Sequence, residues 1–318
     1  YANWADVPSV VPLDRGARVA HWLIRVSDAP FAYTIRAAFS TDRGESWLDA
    51  GIVPDDDSAT EHGFVDLVPD TGRVRAFWLD GREMVDGGPM TLRTRLLADP
   101  RSAEAMSAGA EEILDPRVCE CCPLDAAAAD DGPLVVYRGR THDETRDIRL
   151  VRRTAEGWSD PIAVHDDGWK IPGCPVNGPA VAAEGRRVAV AWFTAPSDLP
   201  AVRLAISTDG GASFAPPLEI DGDAPVGRVD VVLAGDDAIV SWLAASGERA
   251  ELRLRRVSLS GAVGAPMSLA RIRPSRRAGF PRLSHHAGRL FASWVEVDEQ
   301  GSSRLRAVHL DAAAVPRG

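Results

Sequence analysis

The chain has 318 residues, 45% of them hydrophobic, with 36 Lys and Arg against 46 Asp and Glu and a net charge of −10. That apolar share supplies a large core and excludes a disordered chain, and an acidic balance with no dense basic run excludes the positive footprint that nucleic-acid phosphates require. No apolar run approaches the roughly 20 residues that span a bilayer.

In chain order the sequence repeats one unit: an apolar stretch, a polar turn usually holding Gly, an apolar run and a closing aromatic residue. The copies close at Trp22, Trp78, Tyr137, Trp192, Trp242 and Trp294, at intervals of 50–59 residues, a period that marks propellers and other arrays. Each is followed by a stretch alternating with period two: YTIRAAFS, MTLRTRLL, RDIRLVRR, VRLAIS, ELRLRRVS and SRLRAVHL. That is the pattern of half-buried strands. A fourth strand fits segments such as EEIL and PLEI before the next copy begins. The expectation is all-β: a single six-bladed β-propeller of four-stranded antiparallel blades over residues 1–318, with the closing aromatics as core.

Two turns are more specific. Ser40–Trp47 (STDRGESW) and Ser207–Phe214 (STDGGASF) both read S-x-D-x-G-x-x-aromatic directly after a third-strand segment, and TAEGW (Thr154–Trp158) is a decayed copy. They resemble the Asp box of the sialidase-like (BNR-repeat) superfamily, where the box joins the third and fourth strands of a blade on the side away from the ligand. The chain also resembles a bacterial group of sialidase-like proteins through Glu61–Phe64 (EHGF), Trp78–Arg82 (WLDGR), Cys119–Cys122 (CECC) and Gly173–Pro179 (GCPVNGP).

The resemblance implies a fold more than a reaction. A sialidase site implies an arginine in the first inner strand and a tyrosine in the last blade. Here Ala5–Leu13 holds no arginine, GFPRLSHH holds no tyrosine, and the tyrosines are Tyr1, Tyr33 and Tyr137. A glycosidase built on two carboxylates stays open, with Glu61 and Asp80 as candidate catalytic residues.

In a four-stranded blade the start of the first strand and the end of the second lie on one rim. That rim collects Asp6, Glu61, His62, Cys119, Cys121, Cys122, Cys174 and Arg228, with Asp80, Arg82, Arg138 and Arg140 just past second-strand ends. Cys122-Pro123 and Cys174-Pro175 hold near-equivalent places in adjacent blades, so contact between them is expected despite their separation in sequence. Two readings of the cysteines lead, with free thiols as the third. One is a thiolate site, with His62, for copper or zinc or for thiol redox chemistry. The other is disulfides, one joining blades three and four and another a vicinal Cys121–Cys122 ring. Arg82, Arg138, Arg140 and Arg228 are candidates for holding a small anionic ligand at the pore mouth. An even number of cysteines, and Tyr1 rather than Met at the first position, suit a periplasmic or secreted protein. The leading expectation is a metal or thiol-redox site on this rim. A glycoside hydrolase acting on an anionic sugar, and a non-catalytic carbohydrate or protein binder with stapled blades, are the alternatives.

Overall fold

In a computed structural model that describes residues 3–102, 107–273 and 275–318, the alternating stretches are antiparallel strands gathered into six sheets around one axis, a six-bladed β-propeller. Tyr1 lies outside the described residues. Blade one comprises β1 (Ser9–Pro12), β2 (Arg18–Arg25), β3 (Tyr33–Ser40) and β4 (Leu48–Ile52); blade two comprises β5 (His62–Asp70), β6 (Arg73–Asp80), β7 (Thr91–Leu96) and β8 (Glu112–Asp115). Blade three has β9 (Asp125–Ala129), β10 (Gly132–Arg138) and β11 (Ile148–Thr154), whose outer edge is covered by two short pieces, β12 (Gly157–Trp158) and β13 (Ile162–Ala163). Blade four comprises β14 (Ala180–Glu184), β15 (Arg187–Thr194), β16 (Ala201–Ser207) and β17 (Leu218–Asp221), and blade five β18 (Pro225–Ala234), β19 (Asp237–Ser246), β20 (Arg249–Ser258) and β21 (Met267–Ile272). Blade six shows three strands among the described residues: β22 (Arg282–His286), β23 (Arg289–Val297) and β24 (Ser303–Asp311). After β24 the chain returns to blade five, where Arg256 donates to the carbonyls of Ala312 and Val315 and Val315 is fully buried. Among the described residues no strand pairs with the outer edge of β24, and its Leu305 is 75% exposed.

The closing aromatics do what their size predicts. Trp78, Tyr137, Trp192 and Trp242 are fully buried, while Trp22 and Trp294, in the first and last blades, are half-buried. Each stands directly across from an arginine of the third strand: Trp22 with Arg36, Trp78 with Arg93, Tyr137 with Arg149, Trp192 with Arg203, Trp242 with Arg253 and Trp294 with Arg306. A buried indole or phenol also needs an acceptor. Tyr137 donates to Asp115 (2.6 Å), Trp192 to Asp167 (2.6 Å) and Trp242 to Asp221 (2.5 Å), each acceptor at or just past the end of the outer strand of the preceding blade. Tyr137 can therefore replace tryptophan, because its hydroxyl reaches the same kind of partner. In both Asp boxes the carboxylate accepts from a backbone N–H four residues on, Asp42 from Ser46 (2.9 Å) and Asp209 from Ser213 (3.0 Å), which closes the turns β3–β4 and β16–β17.

The inner strands carry a second periodic device. Asp6 accepts the Phe64 N–H (2.5 Å), Asp66 that of Ala126 (2.8 Å), Asp125 that of Val181 (2.7 Å), Asn177 that of Arg228 (2.8 Å) and Asp230 that of Leu283 (2.7 Å). Every seam from blade one to blade six is thus fastened by a side chain of one blade on the backbone of the next. The last seam is closed by Trp4 stacked on Phe280, 6.2 Å between ring centroids, with Arg228 over the Trp4 ring. At the centre these elements enclose a cavity of about 30 Å³ bordered by residues of all six blades, including Asp6, Phe64, Leu124, Pro179, Val229 and Arg282.

Burial pushes the carboxyls of Asp66, Asp125 and Asp230 upward, and the charge of Asp66 adds to the effect on Asp125, with Arg282 as their shared counter-charge. Between about 3.9, the unfolded carboxyl value, and its raised folded value, Asp125 holds a proton in the folded chain that it lacks in the unfolded one. Its contribution to stability therefore falls as pH rises through that window. Asp125→Asn keeps an acceptor for Val181 and removes the charge; Asp125→Ala removes both. At about pH 8 the Asn variant is expected to melt about 2–4 °C above the wild type, a gap that closes at about pH 4. The Ala variant should lose about 1–3 kcal/mol at either pH. Thermal melts in which both variants fall together would contradict this account.

Candidate functional site

The rim where inner strands begin is built from the segments that lead into blades two, three and four. Leading into blade two, each residue of the EHGF run has a structural duty. The Glu61 carboxylate accepts a hydrogen bond from the Tyr33 hydroxyl. Gly63 leaves space that a Cβ would contest with Asp6 Oδ2 at 2.4 Å and Tyr33 Cε2 at 2.7 Å. Phe64, at φ 50°, points its N–H at Asp6. His62 is fully buried, with Nδ1 3.1 Å from Asp80 and Nε2 2.9 Å from Asp56.

The WLDGR run closes on the same point. Asp80 accepts from Trp78 (2.8 Å) and from both arms of Arg82 (2.8 and 2.7 Å), and Arg82 also meets Glu111 at 3.0 Å. Burial alone would raise Asp80, but the bonds from His62, Arg82 and Trp78 hold it far below the ordinary carboxyl range. A carboxylate held that firmly ionised is a poor proton donor, and its contacts make Asp80 the anion that positions His62 and Arg82.

Protonatable carboxyls lie on the other side of Glu61. Asp6 is pushed up to about 7, mainly by burial and further by the Glu61 charge, against the pull of the Phe64 N–H. Glu61 is itself raised by burial and by Glu120, with the Tyr33 bond opposing.

The segments leading into blades three and four touch closely. A Cβ on Gly178 would fall 1.9 Å from the Pro123 carbonyl, so only glycine lets the two backbones abut there. Cys121 and Cys174 form a disulfide across this contact, with Cα atoms 5.9 Å apart and a sequence separation of 53. Closing a loop of that length contributes about 4 kcal/mol in the chain-entropy account. Cys119 and Cys122 are free and buried, each 1% exposed. Cys119 Sγ lies 3.4 Å from Cys122 Sγ, 3.9 Å from Cys121 Sγ and 3.1 Å from an N–H of Arg146. The expected contact between the two loops is present, made by Cys121 rather than Cys122, and no vicinal Cys121–Cys122 ring forms.

The Cys119 thiol is brought down to about 6, first by the hydrogen bond from Cys122, then against burial by the Cys121 N–H and the charges of Arg138 and Arg146. Burial, and the negative neighbour this creates, push Cys122 well up. Two cysteines three positions apart thus differ sharply in acidity, the condition for one nucleophile and one reserve thiol.

Of the five expected metal ligands, Cys119, Cys121 and Cys122 lie together, while Cys174 and His62 stand outside that group. Cys121 and Cys174 are spent on the disulfide, and the group of sulfurs within 4.8 Å of one another comprises Cys119, Cys121 and Cys122 without His62, whose ring is occupied by Asp56 and Asp80. Two of the expected anion-binding arginines are also committed elsewhere. Arg138 is fully buried and donates to the carbonyls of Asn177 (3.0 and 2.8 Å), Arg146 (2.6 Å) and Phe193 (2.7 Å). Arg228 donates to the carbonyls of Ser275 (3.0 Å) and Gly279 (2.9 Å). Both clamp neighbouring blades, because a guanidinium with five donors can satisfy carbonyls left bare between strands. Arg140 pairs with Glu144 (2.8 Å) and Glu120 (3.2 Å), and Arg146 with the same two acids (2.8 and 3.1 Å), so the sulfurs border a charged network.

Nothing local in the sequence marks Arg146 as the partner of Cys119. Its replacement is a direct check: Arg146→Met is expected to move the Cys119 thiolate transition, followed by ultraviolet thiolate absorbance, upward from about 6 by part of the way to the free-thiol value, because the Cys122 hydrogen bond and the Arg138 charge remain. An unmoved transition would contradict the role assigned to Arg146.

No protein-family model and no curated protein matches the chain. Among solved structures it is similar to an α-L-arabinofuranosidase from Fusarium graminearum, with a TM-score of 0.60 and 14% identity over 98% of this chain and 94% of that one. It is similar to the Hadza microbial sialidase Hz136 at a TM-score of 0.58 and 15% identity, over 98% of this chain and 66% of that one. A protein of unknown function from Dyadobacter fermentans gives 0.57 and 14%, over 98% and 96%. Identities this low speak to fold alone, and on that level the result is plain: the chain has the six-bladed propeller fold of sialidase-like proteins.

Proposed function

We propose that the rim is a thiol redox site, with Cys119 as the nucleophile and Cys122 as the thiol that resolves it. The observation that carries this reading is the position of Cys119 Sγ, 3.4 Å from a second thiol, 3.9 Å from a disulfide sulfur and 3.1 Å from the Arg146 N–H. A thiolate beside a guanidinium with a second thiol in reach is the arrangement reactive dithiols use. The co-reactant is a disulfide. The Cys119 thiolate attacks one of its sulfurs and displaces the other as a thiolate. Cys122, giving up its proton, then displaces the bound sulfur from Cys119, which leaves a Cys119–Cys122 disulfide and a reduced dithiol.

An oxidising compartment, periplasmic or extracellular, suits a chain carrying a disulfide. Copper or zinc belongs, in this proposal, to a reduced form in which all four cysteines are available as thiolates. Equilibrated with glutathione buffers, the free pair is expected to oxidise with a midpoint between about −120 and −270 mV, the span of catalytic thiol pairs. Cys119→Ser should abolish the transition. A midpoint below about −300 mV, where structural disulfides lie, would contradict the reading.

A second reading, glycoside hydrolysis, is supported by the Asp6 carboxyl at about 7 beside Glu61. A general acid must hold its proton at the working pH, so turnover would fall as pH rises through that value. On a panel of chromogenic arabinofuranosides and sialosides, Asp6→Asn would lower kcat/KM by about 100- to 10,000-fold. No turnover on any member by the wild type removes this reading.

A further inference from the structure

We infer that the four cysteines form a two-electron relay linking the exposed Cys174 to the buried Cys119 and Cys122. The inference rests on the thiol-redox reading above and adds its point of access and its route.

Burial is graded along the sulfurs. Cys174 is exposed, Cys121 half-buried, and Cys119 and Cys122 are each 1% exposed. Contact is graded the same way: Cys174 is bonded to Cys121, Cys121 lies 3.9 Å from Cys119, and Cys119 lies 3.4 Å from Cys122. The free pair by itself offers no face to another protein, since neither sulfur reaches the surface. The disulfide does, through Cys174. Any thiol or disulfide too large to enter the rim must therefore exchange at Cys174, and the line of sulfurs supplies the connection inward.

The chemistry closes without an external oxidant. Cys119, as thiolate, attacks Cys121 Sγ; the Cys119–Cys121 bond forms, the Cys121–Cys174 bond breaks, and Cys174 leaves as a thiolate that takes up a proton at the surface. Cys122, losing its proton, then attacks Cys119 Sγ. The Cys119–Cys122 bond forms and Cys121 leaves as a thiolate. Two electrons have passed from the buried pair to the outer pair, with one disulfide and two thiols before and after. Cys119–Cys122 lies in a turn rather than a strand, so the pairing changes without breaking a sheet ladder. The outer dithiol is then free to reduce a disulfide presented to Cys174, and the reverse sequence would oxidise a partner dithiol. The same exchange unties blade three from blade four, while Arg138 and the Gly178–Pro123 contact still hold the two loops together.

The test is disulfide mapping of the whole chain. Protein carrying one disulfide is held at about pH 8, where thiolates exchange, then quenched in acid, alkylated and digested for mass spectrometry. The wild type is expected to contain both the Cys121–Cys174 and the Cys119–Cys122 linkages. Cys122→Ser should stop midway, with Cys119 joined to Cys121 and Cys174 alkylated, and Cys119→Ser should retain Cys121–Cys174 alone. A wild type that keeps only Cys121–Cys174 after prolonged incubation overturns the relay, and that arm needs no substitution. If the glutathione transition of the free pair is nonetheless present, the redox reading stands and the relay alone has failed; if it is absent, both have.

Discussion

Each of the first five blades of this ring holds the next by a side chain on a main-chain N–H. Asp6, Asp66, Asp125, Asn177 and Asp230 recur at nearly the repeat period, and each accepts from an inner-strand amide of the following blade. The device answers a problem built into propellers. Strands within a blade satisfy one another, but the inner strands of neighbouring blades meet edge to face, and polar groups there need partners from outside their own sheet. An Asx side chain provides one without adding chain. The cost is buried charge at the axis, which appears as carboxyls pushed upward and a single shared arginine, Arg282. A carboxyl that takes up a proton keeps an oxygen able to accept, so protonation lifts the charge without forfeiting the hydrogen bond.

The functional rim inherits its geometry from this fastening. With the seam between blades three and four fixed by Asp125 and by Arg138, the segments leading into those blades can touch without strands of their own. Gly178 permits the touch, and Cys121 and Cys174 bond across it. Arg138 has two roles in one place, since its donors hold carbonyls while its charge lowers the Cys119 thiol. The disulfide and the dithiol are therefore consequences of one packing event. Their difference in exposure follows from which segment faces solvent.

How far this was legible in sequence depends on the range of the interaction. The strand pattern, the six closing aromatics and both Asp boxes are set by residues within one unit, and they could be read in order. Tyr137 was recognisable as a substitute for tryptophan because its neighbours kept the pattern. The rim membership of Glu61, His62, Asp80 and the cysteines also followed from register. What register could not give was direction. Arg138 and Arg228 stood where an anion site was expected, yet each turns to carbonyls of the neighbouring blade. His62 stood near the cysteines in the sequence map but was claimed by Asp56 and Asp80. The choice of Cys121 over Cys122 as partner of Cys174 depends on the conformation of a single turn. Blade six shows three described strands because its chain returns to blade five, a path no local pattern announced.

The central claim is that one disulfide and one reactive dithiol share this rim. Its most direct measurement is the number of thiols that an alkylating reagent captures when the purified chain is unfolded without reductant and weighed intact. Whichever pair carries the bond at that moment, the account predicts two alkylated cysteines and two joined. Four alkylated cysteines would contradict it, since no disulfide would then fasten blades three and four, and so would none in protein equilibrated with reduced glutathione, since no dithiol would then be available for exchange.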